Sequence, residues 1–408
     1  MTVWIDLTDF LQWKGSLTGI QRIQYNLSKL YIESKEVVKF FVYTEEKKAF
    51  SQVDFIPDDI VKSGIIDTKK DHKVYTEHTK KFLARSRVFL AGNRTSYRHA
   101  HDTVRVTSPF KKDDKVLILG GIWVGEFIND LKKAKEQHGF KLVHFAFDMI
   151  PTLFPGFVVD WLPETFTDYQ KKVFSISEGI IAISESTASD VREFIKDHSI
   201  QNSPAINVVR IGENIDEVSG SNLPAKLGDL KPGFILSVST VEVRKNHLSL
   251  FYALREANRR GIVIPMIVIV GRKGWQTDDF SYIVEHDPIA KQGILVINDA
   301  DDSTLVWLYC NCRFSIFPSF YEGWGMPVAE SLSYGKLCIS SNTSSLPEIA
   351  GDLIDYFSPY DTGDILSCIV KYLDDDTLLE KEKSIQDSYK PTSWYDMFDQ
   401  VNAFVKSV

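Results

Sequence analysis

Two glutamates, Glu322 and Glu330, stand with seven residues between them in the run Pro318, Ser319, Phe320, Tyr321, Glu322, Gly323, Trp324, Gly325, Met326, Pro327, Val328, Ala329, Glu330. The run follows an apolar stretch and opens a helix. Gly323 and Gly325 permit a tight turn and close approach of backbone to a ligand. Pro327 suits a first helical turn, where its missing N–H costs nothing. Free amides and the positive end of a helix then gather at one place, which favours anionic or hydroxyl oxygens. Glu322 precedes the turn and Glu330 lies about one turn into the helix. Both can face one cleft, a small ligand's length apart. One carboxylate can accept hydrogen bonds from sugar hydroxyls, the other from a ribose diol.

The elements that must position these residues alternate along the chain. Strand expectations fall at Val3–Leu7, Val116–Leu119, Leu142–Phe147 and Gly179–Ile183, with helical spacing at Ile20, Ile23, Leu27, Leu30 and Tyr31 between the first two. Solid apolar runs followed by polar turns and helices are the βα units of a parallel sheet buried on both faces. The pattern restarts with strands at Phe234–Val238, Ile262–Val270, Gly293–Ile297, Phe314–Phe317 and Leu337–Ser340. The predicted division is a first Rossmann-like domain over 1–217, a linker over 218–232, a second over 233–385 and a terminal helix over 386–408. Two doubly wound α/β sheets face each other, and ligands favour the C-terminal strand ends between them.

The 408 residues carry 47 Lys and Arg against 55 Asp and Glu, for a net charge of −8. That balance argues against nucleic-acid binding over the whole surface. The 44% hydrophobic and 25% charged content excludes disordered and collagen-like chains. Cys310, Cys312, Cys338 and Cys368 make neither a disulfide framework nor zinc spacing, and are expected to be reduced and mostly buried in a cytosolic protein. The N-terminus shows no leader pattern, and the longest apolar run is half a membrane span. One segment stands apart in charge: Lys62–Lys112 holds 13 Lys and Arg against 4 Asp and Glu. It reads as a solvated face, or as a patch for a phosphate-bearing acceptor or an anionic inner membrane. The Asp299, Asp301, Asp302 cluster precedes a helix, where aspartate caps are expected, and His99, His101 and Asp102 lack a second ligand set. No metal site is expected.

The Pro-Ser-x-x-Glu-Gly-x-Gly-x-Pro run ending at Glu330 resembles the signature of glycosyltransferase family 4, retaining nucleotide-sugar-dependent enzymes of the GT-B fold. Ser237 to His247, Val268 to Trp275 and Ser344 to Gly351 are similar to family segments in the same order. The resemblance is strong over 233–365. Gly15 to Arg22, with Thr18, Gly19, Ile20, Gln21 and Arg22, is similar to the Thr-Gly-Ile-Gln-Arg start of a bacterial surface-polysaccharide branch. The family often places Gly then Arg where this chain has Ser239 and Thr240, and a His where it has Phe147.

The resemblance implies a transferase moving a sugar, with mannose from GDP-mannose as the expected donor, to a glycan or lipid-linked glycan in O-antigen or capsule-type synthesis. It implies no cofactor and no metal. Arg244 and Lys245 would neutralise the donor diphosphate, leaving Thr240 a lesser part. Glu330 would hold the ribose, and the backbone around Asn298 the base. Glu322 and the amides of Gly323, Trp324, Gly325, Met326 and Pro327 would hold the sugar. The Gly19 and Ile20 amides would approach the donor phosphates, and Arg22 would face phosphate or acceptor. Asp148, at a strand end, would bind an acceptor hydroxyl or cap the next helix. Ser184 is expected to cap, Pro347 and Gly351 to shape a short helix, and Trp394 to anchor a terminal helix on the first domain. A sugar-nucleotide epimerase or hydrolase, or a non-catalytic nucleotide-sugar-binding subunit, would use the same architecture.

Overall fold

Short apolar runs rich in β-branched and aromatic residues form central strands buried on both faces, flanked by more exposed edge strands, and these organise the chain. The structure, a computed structural model, describes residues 1–12, 19–55, 106–213, 227–298 and 300–408. Gly15 to Thr18, the basic segment up to Arg105, His99, His101, Asp299 and most of the expected linker lie outside the described residues.

Among the described residues the first sheet contains β1 (Val3–Asp6), β2 (Val38–Thr44), β3 (Ala49–Val53), β4 (Lys115–Ile118), β5 (Lys141–Ala146), β6 (Gly179–Ala182) and β7 (Ala205–Val208), in the order β3-β2-β1-β4-β5-β6-β7. All neighbours are parallel except β2 and β3. The second sheet contains β8 (Ile235–Val238), β9 (Ile267–Val270), β10 (Ile294–Ile297), β11 (Phe314–Phe317), β12 (Cys338–Ser341) and β13 (Tyr356–Phe357), in the order β10-β9-β8-β11-β12-β13, all parallel. Each strand order reverses once, between β1 and β4 and between β8 and β11. Ligands of open α/β sheets bind outside the strand ends at such points. The two doubly wound sheets make the GT-B architecture.

Some expected boundaries shift for local reasons. The Ile262–Val270 run is half loop: Pro265 cannot donate to a ladder, so β9 begins at Ile267, and Val263 is 89% exposed. Cys312 and Cys338 are buried, as expected, but Cys310 is exposed; all four are free. The terminal helix Trp394–Ser407 is fixed by a capping box in which Ser393 and Asp396 bond each other's backbone. It packs on the first domain, with Phe398 against Tyr31 at 4.9 Å between ring centroids. The Trp394 ring occupies the space a side chain at Gly212 would need. Among the described residues, no helix is long and apolar enough to cross a membrane.

Candidate functional site

The exits of β8 and β11 meet at the second sheet's reversal point. After β8 the chain makes a short 3-10 turn, Val243–Lys245, and Asn246 takes a left-handed conformation (φ 57°) before the helix His247–Arg259. Asn246 Nδ2 donates to the carbonyls of Pro318 (3.1 Å) and Pro359 (2.9 Å), tying this turn to the β11 exit. The Phe320 amide donates to the Arg244 carbonyl at 2.9 Å, and Ser341 Oγ donates to the Ser319 carbonyl at 2.6 Å. The backbone that carries the two cations is thus knitted to the backbone that carries Glu322.

Glu322 lies between those cations. Oε2 pairs with Arg244 Nη1 at 2.7 Å, and Oε1 with Lys245 Nζ at 2.6 Å. Ser319 Oγ donates to Oε1 at 2.6 Å. Burial alone would raise the Glu322 pKa, but Arg244 and Lys245 outweigh it and hold the carboxyl at about 2. Arg244 also donates to Glu242 Oε1 and to the Tyr321 carbonyl, both at 2.7 Å. Burial works against its charge, yet Glu322 and Glu242 raise its pKa. Lys245 is lowered by burial and by Arg244 beside it. Two cations, Arg244 and Lys245, thus stand against two buried carboxylates, Glu322 and Glu242, in one ion-pair network that faces the first domain.

Glu330 is buried on the next helix, Met326–Ser333. Oε2 accepts from the Tyr309 hydroxyl at 2.8 Å. Oε1 lies 3.4 Å from Arg22 Nη1, and Arg22 Nη2 pairs with Asp302 at 2.6 Å. Burial raises the Glu330 pKa, and Arg22 opposes the rise. Arg22 therefore reaches across from the first domain and meets two carboxylates. It was expected to face phosphate or acceptor; three residues into the helix Ile20–Glu33, its guanidinium lies against Asp302 and Glu330. Gly19 precedes that helix with φ 46° and, like Thr240 and Asn298, is exposed, while Ile20 is half-buried.

The glycine bend is tighter than an open cleft requires. A side chain at Gly323 would come 2.0 Å from the Phe147 carbonyl oxygen and 3.1 Å from Asp148 Cβ, so the first domain packs directly on it. Thr187 Oγ1 donates to the Gly323 carbonyl at 3.3 Å. Trp324 is buried under Arg210, whose guanidinium stacks 5.2 Å from the indole centroid, and Ser345 caps its carbonyl at 2.7 Å. Its side chain therefore points into the packing between domains. Gly325 (φ 125°) begins the helix, with Met326 and Pro327 half-buried beside it. Asp148 Oδ1 accepts the Ile150 amide at 3.0 Å, a local turn just before the helix Ile150–Leu153, whose N-cap is Met149. Burial raises the Asp148 pKa, opposed by Arg244 across the interface.

Several partners were given no role from the sequence. Ser319 and Glu242 lie inside the motif segments but were assigned nothing, Tyr309 lies outside them, and the fold brings all three to the two glutamates or their cations. Tyr321 donates to Asp190 of the first domain at 2.8 Å. Glu348, in a segment read as mainly structural, accepts the amides of Glu185 and Ser186 at 2.7 and 2.8 Å. Ser184 caps that helix by accepting from Thr187, and Asp301 caps the helix Asp302–Asn311 through the Thr304 amide.

The two sheets, with the glycine bend between them, define the class: the fold is that of GT-B glycosyltransferases. Residues 222–387 match the family described as "Glycosyl transferases group 1". The chain is 33% identical over 149 residues to O-antigen chain mannosyltransferase B of Escherichia coli, a match covering 36% of this chain and 39% of that protein. It is 27% identical over 280 residues to the serotype-specific mannosyltransferase WbdA of Escherichia coli, covering 65% of this chain and 34% of WbdA. The chain thus spans well under half the length of either relative. The crystal structure of Anabaena Alr3699/HepE with UDP and glucose superposes over 100% of both chains with a TM-score of 0.64 at 11% identity, a likeness of fold.

Proposed function

We propose that the protein is a retaining glycosyltransferase that moves mannose from GDP-mannose to a glycan or lipid-linked glycan during O-antigen-type synthesis. The observation that carries this reading is Glu322, buried between Arg244 and Lys245 at the second sheet's reversal point, with Glu330 on the adjoining helix. The mannosyltransferase relatives support the sugar and the setting.

In this reading Arg244 and Lys245 bind the diphosphate, by guanidinium contacts and a point charge respectively. They stabilise the negative charge that grows on the leaving group. Glu330 accepts both ribose hydroxyls, and the backbone at Asn298 meets the base. Glu322 and the Gly323–Met326 amides orient the sugar. The acceptor enters along the first domain near Asp148. Its oxygen bonds to the anomeric carbon as the bond to the β-phosphate oxygen breaks, on the same face. The departing phosphate oxygen takes the acceptor's proton, so no side-chain nucleophile, cofactor or metal is invoked.

A thermal-shift panel of nucleoside diphosphates tests the donor. GDP should raise Tm most. Glu322→Gln, which keeps the side chain's shape, should lower transfer from GDP-mannose at least about 100-fold while GDP still binds. Normal turnover by that variant overturns the assignment. Complete conversion of donor without acceptor would make the protein an epimerase or hydrolase, and GDP binding without any turnover would make it a binding subunit.

A further inference from the structure

A second pair of carboxyls, Asp6 and Asp9, stands apart from the proposed donor site, at the reversal point of the first sheet. Asp6 ends β1 and is fully buried. Its Oδ1 accepts from the Thr8 amide (3.0 Å) and hydroxyl (2.6 Å). Asp9 reaches further. Its Oδ1 accepts from Gln24 Nε2 at 2.8 Å, and its Oδ2 from the Gly121 amide at 3.1 Å. Gly120 lies against it so closely that a side chain there would come 2.2 Å from Oδ1. One carboxylate therefore ties the β1 exit and the β4 exit to the helix Ile20–Glu33.

That same helix carries Arg22, one half-turn before Gln24. Arg22 is long, and it crosses to Asp302 and Glu330 on the other domain. Where its guanidinium arrives depends on where the helix is seated on its own sheet, and Gln24, fully buried, is a bolt at that seat. An α-helix is stiff over one turn, so a displacement at Gln24 is passed to Arg22 nearly undiminished.

We propose that Asp9 is a positioning residue for the ribose end of the nucleotide site, acting through Gln24 and the helix to set Arg22 on Glu330. The inference rests on the assignment of Glu330 to the ribose. Arg22 opposes the effect of burial on Glu330, and an ionised carboxylate is the form that accepts from both hydroxyls of a vicinal diol.

Calorimetric binding of GDP and UDP, each beside its 2′,3′-dideoxy form, separates the possibilities. Wild type should bind the diol form of its nucleotide about 10-fold tighter than the dideoxy form, the scale for a site built to bond hydroxyls. Arg22→Ala should reduce that ratio to about 2. Asp9→Ala should reduce it by about 3-fold or more, and the Arg22→Ala, Asp9→Ala double variant should be no worse than Arg22→Ala alone, because distant residues are non-additive only when coupled. Dideoxy affinities should stay unchanged in Asp9→Ala and Gln24→Leu, whose residues touch no part of the nucleotide site. If Asp9→Ala does not fold, Gln24→Leu and Gly120→Ala break the same link. Additive effects, an unchanged ratio in a folded variant, or an equal loss of dideoxy affinity would each overturn the proposal. A wild type that does not discriminate removes the Glu330 assignment first, and one that binds neither nucleotide removes the transferase reading.

Discussion

Glu322 holds its charge at a place where burial opposes it, because two cations and a serine hydroxyl converge on it. Truncating such a buried partner leaves the others uncompensated and costs about 3–5 kcal/mol. Glu322→Gln removes the same charge but keeps the side chain's volume and an oxygen that can still accept from Ser319 or Lys245, so it is a more informative variant than Glu322→Ala. Asp6 shows the opposite balance. Burial and the neighbouring Asp9 push its pKa up to about 7, against the Thr8 hydrogen bonds. A carboxyl raised in the fold is stabilising when protonated. Its contribution is fully present below the unfolded value near 3.8 and is lost as pH climbs through about 7. Asp6→Asn keeps an oxygen for Thr8 and removes the charge. Melting curves should show the variant above wild type by several degrees at pH 8, with the gap shrinking at pH 5 and below. A gap independent of pH would contradict this account.

At the scale of elements, the β11–bend–helix unit is set by local chemistry. The strand is a solid apolar run, the bend has two glycines, and Pro327 sits in the first helical turn. What the bend touches is less local. Gly323 is obligatory because the Phe147 carbonyl of β5's exit lies against it. A methyl group there meets backbone, which no rotamer change relieves. Gly323→Ala should fold and bind nucleotide, yet lose transfer about 10-fold or more, because the first domain can no longer seat on the bend. Transfer at the wild-type rate would show that this seating is dispensable.

The whole molecule is held in its domain arrangement by contacts spread along the interface. Glu348 receives two helix amides, Tyr321 bonds Asp190, and Trp275 Nε1 donates to the Phe157 carbonyl at 2.7 Å. Phe157 stacks on Phe320 at 5.5 Å between centroids. The Glu348 contact is charge-assisted at a helix N-terminus, which favours anions, though its partial exposure limits it to about 1 kcal/mol. Glu348→Ala should weaken closure without unfolding either sheet. Small-angle scattering should then give a larger radius of gyration than wild type without donor. Equal radii would place the clasp elsewhere on the interface.

Strand runs, the restart of the pattern near Phe234 and the glycine bend were legible in the sequence because they are local: apolar periodicity, turn residues and helix starts act over a few positions. Arg244, Lys245 and Glu322 could be singled out by type and order, and the chain does bring them together. The destination of Arg22, the burial of Trp324 under Arg210 and the clasp at Glu348 could not be read from the sequence. Each joins residues more than 100 positions apart, and no local preference records which side chain a long-range approach will select. Only the seating of one sheet against the other made those choices.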